Sequence, residues 1–369
     1  MWLDCLILLP LILLGAERLV REGKWVMYTV TLGLCILTNY YISIMICIFL
    51  VLYFGMLLIT EYHTMTEGQS QKVKTVFGRI GRFAFASLLA GGLAAVLLIP
   101  EVCAILRTDF GNSDFPGTLE SYFSVFDMLA RHCLCVTTER GLEHWPNIYC
   151  GVAVFLLVPM YALNEKISVR KRFCNLALAG FLLLSFGTNV LDFLWHGLNY
   201  PDSLPARQSF LYIFLILVMC YDAFRNVEGT SPRQIIYGYL AAVIFLLACE
   251  KFVESEDFDT GIEVLTLVFV TIYGVLLYLY RTRKDELTRQ VLGILVLACV
   301  VAELSINTFN TSLGTTGRSA YLGDQEDYKA LYTLAREQEG DDFFRIEKFT
   351  RKTKNDGTLT GSPTASVFS

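Results

Sequence analysis

The sequence predicts an all-α polytopic membrane protein, and three observations predict it. Apolar residues make up 54% of the 369 positions and charged residues 18%, with a mean hydropathy of +0.50, where a soluble domain carries about 45–50% and about 25%. Several apolar runs reach the roughly 20 residues that a helix needs to cross a hydrocarbon core of about 30 Å. The Lys and Arg residues concentrate in alternate gaps between those runs.

Ten spans follow in order, at 1 to 16, 25 to 39, 42 to 61, 80 to 101, 147 to 163, 173 to 194, 208 to 224, 234 to 253, 261 to 280 and 288 to 306. The run from Trp25 to Tyr62 is too long for one crossing, and Asn39-Tyr40-Tyr41 is the natural place to divide it. Its first half is short, so a re-entrant element at 25 to 39, with nine crossings in place of ten, is the alternative. The gaps 17 to 24, 63 to 82, 165 to 172, 225 to 233 and 281 to 289 hold seventeen basic residues. The opposite gaps hold four: Arg107, Arg131, Arg140 and Arg207. Positive loops stay in the cytoplasm, so ten alternating crossings put the first set inside and the second outside. The net charge of −5 averages the two sets and is no nucleic-acid signal.

Residues 1 to 313 are therefore read as a multispan transmembrane domain with an external loop at 103 to 146. Residues 314 to 369 lose apolar periodicity and read as a truncated extracytoplasmic segment, cut at "SVFS". "MWLDCLILLP" has no basic leading region and no small-residue cleavage site, so it is a poor signal peptide, and a segment is expected to precede it.

Polar residues at membrane depth are costly and are default candidates for function. Asn189, Asp192 and His196 recur at i, i+3 and i+7 and form a stripe at the outer end of the sixth span, leading into Asn199. Interhelical hydrogen bonding explains such a stripe as readily as a site does. Trp195 reads as an interfacial anchor. Pro201 and Pro205 stiffen the loop that follows, and Arg207, beside Gln208 and Ser209, is its only cation. A guanidinium at a helix start suits a phosphate, and snorkelling to lipid head groups explains it equally. Asp4, Glu101, Glu250 and Glu303 all fall at outer ends of spans, and their convergence would make a polar cavity that opens outward.

The loop stretch "GTLESYFSVFDMLARH" (117 to 132) has an amphipathic pattern suited to lying along a membrane surface. "HCLC" (132 to 135) is half a metal site at most, because C-x-C is unusual for zinc and no second pair stands nearby. Most of the other cysteines lie in spans, where they act as small apolar residues. No phosphate-binding glycine loop, nucleophile elbow or H-E-x-x-H occurs, so nothing points to a nucleotide-driven or proteolytic mechanism.

Five stretches, "MWLDCLILLPLILLGAERLVREGKW", "TNYYISIMICIFLVLYF", "LEHWPNIYCGVAVFLLVPMYALN", "WHGLNYPDSLPARQSFLYIFL" and "FFRIEKFTRKTKNDGTLTGSPTASVFS", resemble in order the bacterial YfhO family of membrane proteins. The fourth is the most specific, since its polar residues stand at irregular spacings that no bulk property requires. The resemblance implies a GT-C type glycosyltransferase of the bacterial cell membrane. Such an enzyme moves a sugar from a polyprenyl-phosphate carrier to an envelope acceptor such as lipoteichoic acid on the outer face. It implies Arg207 as a phosphate contact and Asp192, His196 and Asn199 as site-lining residues; Asp4, Glu101 and Glu303, from the set of outer-end acids, are further substrate-binding candidates. A divalent cation serves some such enzymes and not others. The catalytic Asp or Glu of GT-C enzymes usually lies in the first external loop, which the resemblance puts before residue 1, leaving the fragment without its base. The rival readings are a flippase or exporter of polyprenyl-linked lipid and a noncatalytic scaffold of an envelope glycosylation complex. A flippase calls for polar residues along the whole depth of its helices, whereas the acids here gather toward one face.

Overall fold

The computed structural model describes residues 2–68, 70–107, 114–139, 145–200, 204–255, 258–315, 317–340, 343–347, 357 and 361–364. Pro201, Arg140 and most of the stretch 341 to 369, on which expectations fell, lie outside the described residues.

The described residues form α-helices and no named strand; the only extended pairing among them is a single antiparallel bridge between Ser121 and Thr188. The chain divides into two compact units, Met1–Thr311 and Ser312–Ser369. The first opens with α1 (Trp2–Glu22), α2 (Val26–Thr38), α3 (Tyr40–Thr60), the short α4 (Tyr62–Thr66), α5 (Lys72–Leu93) and α6 (Ala95–Ile105). After the loop that carries α7 (Val125–Ala130) come α8 (Val154–Leu163), α9 (Val169–Phe186), α10 (Asn189–Trp195), α11 (Ser209–Arg225), α12 (Pro232–Phe252), α13 (Thr260–Thr282) and α14 (Glu286–Thr311).

Local chemistry explains the boundaries. Asn39 is extended and its side chain accepts from Ile42 N at 2.9 Å, so the Asn39-Tyr40-Tyr41 break caps α3 where it was expected. Ser231 and Gln234 close a reciprocal capping box on α12, with Pro232 in the first turn. Asp259 caps α13 through Ile262 N at 2.8 Å. Gly15 faces the backbone of Tyr28 so closely that a Cβ there would come within 2.7 Å of it, the small-residue contact by which α1 and α2 approach.

Each expected span falls on a helix or a pair of helices, but the lengths differ. Among the described residues five helices are long and apolar enough to cross a membrane: α3, α5, α12, α13 and α14. The expected span at 80 to 101 is divided between α5 and α6, and the one at 173 to 194 between α9 and α10. Residues 145 to 153 are not helical, so α8 begins at Val154. The helices pack in a continuous series, α5 on α2, α2 on α1, α1 on α3, α3 on α9, α9 on α11, α11 on α8, α8 on α12, α12 on α13 and α13 on α14. Their outward residues, among them Leu3, Val51, Leu88, Val96, Ile294 and Leu297, are exposed, as suits contact with lipid.

The contacts sort the loops into the same two sets as the charges. At one end Arg21 meets Glu61 at 2.8 Å, Arg170 reaches Ile59 O, Lys171 meets Asp222 at 2.7 Å, Lys166 meets Glu228 at 2.7 Å, and Arg281 donates to Thr230 O. At the other, the loop before α7 docks on the junction of α9 and α10. Glu254 N donates to Asp127 Oδ1 at 2.8 Å there, and Cys135 N to Asn307 Oδ1 at 2.9 Å.

The segment 117 to 132 is not the surface amphipathic helix that its pattern suggested. Only Val125–Ala130 is helical, capped by Ser124, and Asp127, Met128, Ala130, Arg131 and His132 are buried. Its polar residues find partners inside the fold. Arg131 donates to Pro146 O, to Thr137 O and to Asn147 Oδ1, and His132 is bonded through Nδ1 to Leu129 O and through Nε2 to the Tyr212 hydroxyl, both at 3.0 Å.

The second unit, described by itself, holds α15 (Arg318–Leu322) and α16 (Gln325–Glu339), the latter ending at Gly340 with φ +67°. Beyond α16, Ile346 N donates to Pro363 O at 2.8 Å.

Candidate functional site

The sixth expected span breaks at Gly187 and Thr188, and the break is filled by the loop before α7. Tyr122 N donates to Gly187 O, Asn189 N donates to Glu120 O, and the Asn189 side chain accepts from Glu120 N at 3.0 Å while donating to Thr118 O at 2.8 Å. Asn189 thus fastens the loop, and α10 restarts as a short helix that carries Asp192 and ends at His196.

Asp192 and His196 are both 2% exposed. The His196 Nδ1 lies 3.0 Å from Asp192 Oδ1 and 2.8 Å from the Asp192 backbone carbonyl. The Tyr122 hydroxyl donates to Asp192 Oδ2 at 3.2 Å. Burial, and then the Asp192 carboxylate, hold the Tyr122 phenol well above its ordinary value, and the same two causes raise Tyr200. The far ring nitrogen of His196, Nε2, is buried with no hydrogen-bond partner. So are both amide atoms of Gln208, a fully buried side chain twelve positions on. Buried polar groups are rarely left unsatisfied, and each such exception calls for a reason.

The backbone between them is strained. Among the described residues four non-glycine positions have positive φ, and three lie here: Leu198 at +66°, Leu204 at +53° and Ala206 at +50°, alongside Gly197 at +74°. Each costs roughly 1–2 kcal/mol, a strain that persists only where its surroundings over-determine it. Arg207 follows the strained turn, its Nε donating to Leu204 O at 3.2 Å. Its guanidinium lies over two rings, 5.4 Å from the centre of Trp2 and 5.0 Å from that of Tyr41. Arg207 is half-buried against these aromatic faces. Tyr41 also lies 6.5 Å from the His196 ring and within electrostatic reach of Asp192.

The outer-end candidates do not all converge. Asp192, His196 and Arg207 meet around Tyr41; Asn199 sits in the same turn, with its Oδ1 accepting from Tyr200 N at 2.9 Å. Asp4 is exposed on the first turn of α1, two positions from Trp2. Glu101 on α6 acts electrostatically on Tyr40, at the start of α3. Glu303 belongs elsewhere. It is 1% exposed and enclosed by three donors, Tyr149 OH at 2.8 Å, Val152 N at 2.6 Å and Tyr273 OH at 2.7 Å. Glu250 lies beside Glu263 on α13. The expected single cavity lined by four acids is therefore not formed, because the loop before α8 and the helix α13 enclose Glu303 while Glu250 is exposed on α12.

Trp195 is also not the interfacial anchor expected of it: at 2% exposure it is part of the core. The side chains that the sequence reading missed are Trp2, Tyr41, Tyr122 and Gln208. Tyr41 had a visible signal, since the Asn39 break sets it at the same end as the 195 to 207 turn. Tyr122 had none, because its place depends on the loop docking. No group of three or more His, Cys, Asp or Glu side chains stands together among the described residues, and Cys133 of "HCLC" is buried as a free thiol.

An all-helical bundle with several membrane-length apolar helices and a buried polar cluster at one end defines a polytopic membrane protein. The sequence model for the bacterial membrane protein YfhO matches residues 1–369, and the chain belongs to that family. No curated protein and no solved structure matches it.

Proposed function

We propose that the chain is part of a membrane glycosyltransferase of the GT-C type, which passes a sugar from a polyprenyl-phosphate carrier to an envelope acceptor such as lipoteichoic acid at the extracytoplasmic face. The observation that carries the reading is the turn at 195 to 208. It combines a half-buried guanidinium on two aromatic faces, an Asp192–His196 pair with an unused ring nitrogen, and three strained residues at the end away from most of the basic loops.

In this reading an acceptor hydroxyl attacks the anomeric carbon, the carbon–oxygen bond to the carrier phosphate breaks, and the phosphate leaves with the electron pair while an acidic residue takes the hydroxyl proton. Arg207 neutralises the charge that gathers on the departing phosphate. Trp2 and Tyr41 hold that cation in place, and Asn199 and the Asp192–His196 pair line the sugar side. Asp192 and His196 offer two metal ligands, too few for a divalent site by themselves, and the charge-stabilising role falls to Arg207.

The test is transfer of labelled sugar from polyprenyl-phosphate-sugar to teichoic acid in membranes from cells expressing the complete reading frame. Wild-type protein transfers and Arg207→Ala loses about a hundredfold in rate. No transfer by the wild type would favour the flippase or scaffold reading. The flippase draws on one further observation: Glu17, Tyr53, Arg21, Glu61, Lys171 and Asn175 border a cavity of about 50 Å³ near the basic ends of α1, α3 and α9.

A further inference from the structure

At the opposite end of α1 from Trp2 the chain turns at Gly23, which has φ +77°. Two guanidiniums from α5 close over that turn. Arg79 donates through Nη2 to Arg21 O and Arg82 through Nη1 to Gly23 O, both at 3.4 Å. A Cβ at Gly23 would overlap both guanidinium groups, so glycine is required here for space as well as for φ. The carbonyls at the end of α1 explain one cation there. They do not explain two, side by side, with no carboxylate paired to either among the described residues.

The pair borders a polar cavity of about 490 Å³ that Ser70, Gln71, Lys74 and Thr75 also line. The carboxylate at its edge, Glu22, is held by Lys24 at 2.7 Å. Arg79 Nε is buried with no partner. The exposed Val73 and Phe77 of α5 border a neighbouring cavity with Ser70, Gln71 and Lys74, so the basic cavity adjoins an apolar surface. That pairing fits a molecule with an anionic head and an apolar tail.

We propose that Arg79, Arg82 and Lys74 form a phosphate-binding site at the Gly23 turn that takes the headgroup of an anionic phospholipid, with Val73 and Phe77 against its acyl chains. This site is separate from the turn at 195 to 208 and stands whether or not that turn transfers sugar.

The experiment titrates delipidated full chain in neutral detergent with phosphatidylglycerol, with phosphatidylcholine and with inorganic phosphate, following the thermal midpoint. Phosphatidylglycerol is expected to stabilise in preference to phosphatidylcholine. Its apparent affinity should fall about fivefold in R82Q and about thirtyfold in R79Q/R82Q, and stay unchanged in K284Q, an exposed cation of the same basic end. Should the double variant fail to fold, R82Q alone decides, since Arg82 is exposed. Undiminished affinity in the arginine variants, or an equal loss in K284Q, would overturn the site. Equal stabilisation by inorganic phosphate at the same concentration would overturn the lipid source and leave a soluble anion as the ligand.

Discussion

Two buried carboxylates, Glu303 and Asp192, are alike in burial and unlike in everything around them. Glu303 is met by three donors, two from the loop before α8 and one from α13, at 2.6 to 2.8 Å. Asp192 is met by a tyrosine at 3.2 Å and a histidine at 3.0 Å, and that histidine keeps a buried nitrogen unused. Glu303 itself sits within a regular helix, while the turn after Asp192 holds three left-handed non-glycine residues. A saturated buried carboxylate is what stability alone would produce. A carboxylate paired with a histidine whose far ring nitrogen is buried without a partner, beside strained backbone, is what a site requires, because groups meant for a ligand cannot also be satisfied by the protein.

The comparison breaks most visibly at Glu303. Its replacement by Ala leaves two phenols and a backbone amide without an acceptor, and is expected to cost about 3–5 kcal/mol, read as a large drop in thermal midpoint in detergent. Asp192→Asn should cost clearly less. Equal losses would remove the distinction between the two carboxylates.

A pH series sharpens the contrast with His132, a histidine whose two nitrogens are both used. Burial lowers its pKa to about 4 from 6.5. The unfolded chain therefore takes up a proton below about 6.5 that the folded chain refuses until about 4, so stability falls as pH drops through that window. At pH 5 the loss is about 2 kcal/mol, and His132→Gln should flatten the pH dependence of the melting midpoint.

Gln208 offers a smaller effect of opposite sign. Its buried amide has no partner, so Gln208→Met is expected to stabilise by about 1 kcal/mol while impairing transfer. Leu204→Gly is smaller still: relief of the left-handed strain, offset by the added freedom of the unfolded chain, should raise stability by roughly 0.5 kcal/mol. A loss of stability in either variant would show that the turn is held for packing alone.

How much of this was legible in the sequence depended on whether a feature was local. The break at Asn39 and the segregation of basic loops are set by neighbours in the chain, and the contacts of the structure agree with them. The i, i+3, i+7 stripe of Asn189, Asp192 and His196 was visible too, but not its division of labour, because Asn189 is claimed by a loop some seventy residues earlier. Glu303 and Trp195 misled for the same reason. A carboxylate or a tryptophan near the end of an apolar run looks interfacial until the partners that bury it are known, and Tyr149, Val152 and Tyr273 come from distant parts of the chain. The inward fold of residues 125 to 134 was hidden likewise, since an amphipathic pattern does not say whether its polar side meets water or the carbonyls of Thr137 and Pro146.

The most direct test of the central claim compares sugar transfer and folding in one series: wild type, Asp192→Asn and Arg207→Ala, each expressed from the complete reading frame, with transfer rate and thermal midpoint measured on the same membranes. The account predicts transfer reduced about a hundredfold or more in both variants, with Arg207→Ala melting close to the wild type. Wild-type rates in both variants would contradict it and make the turn at 195 to 208 a purely structural hairpin.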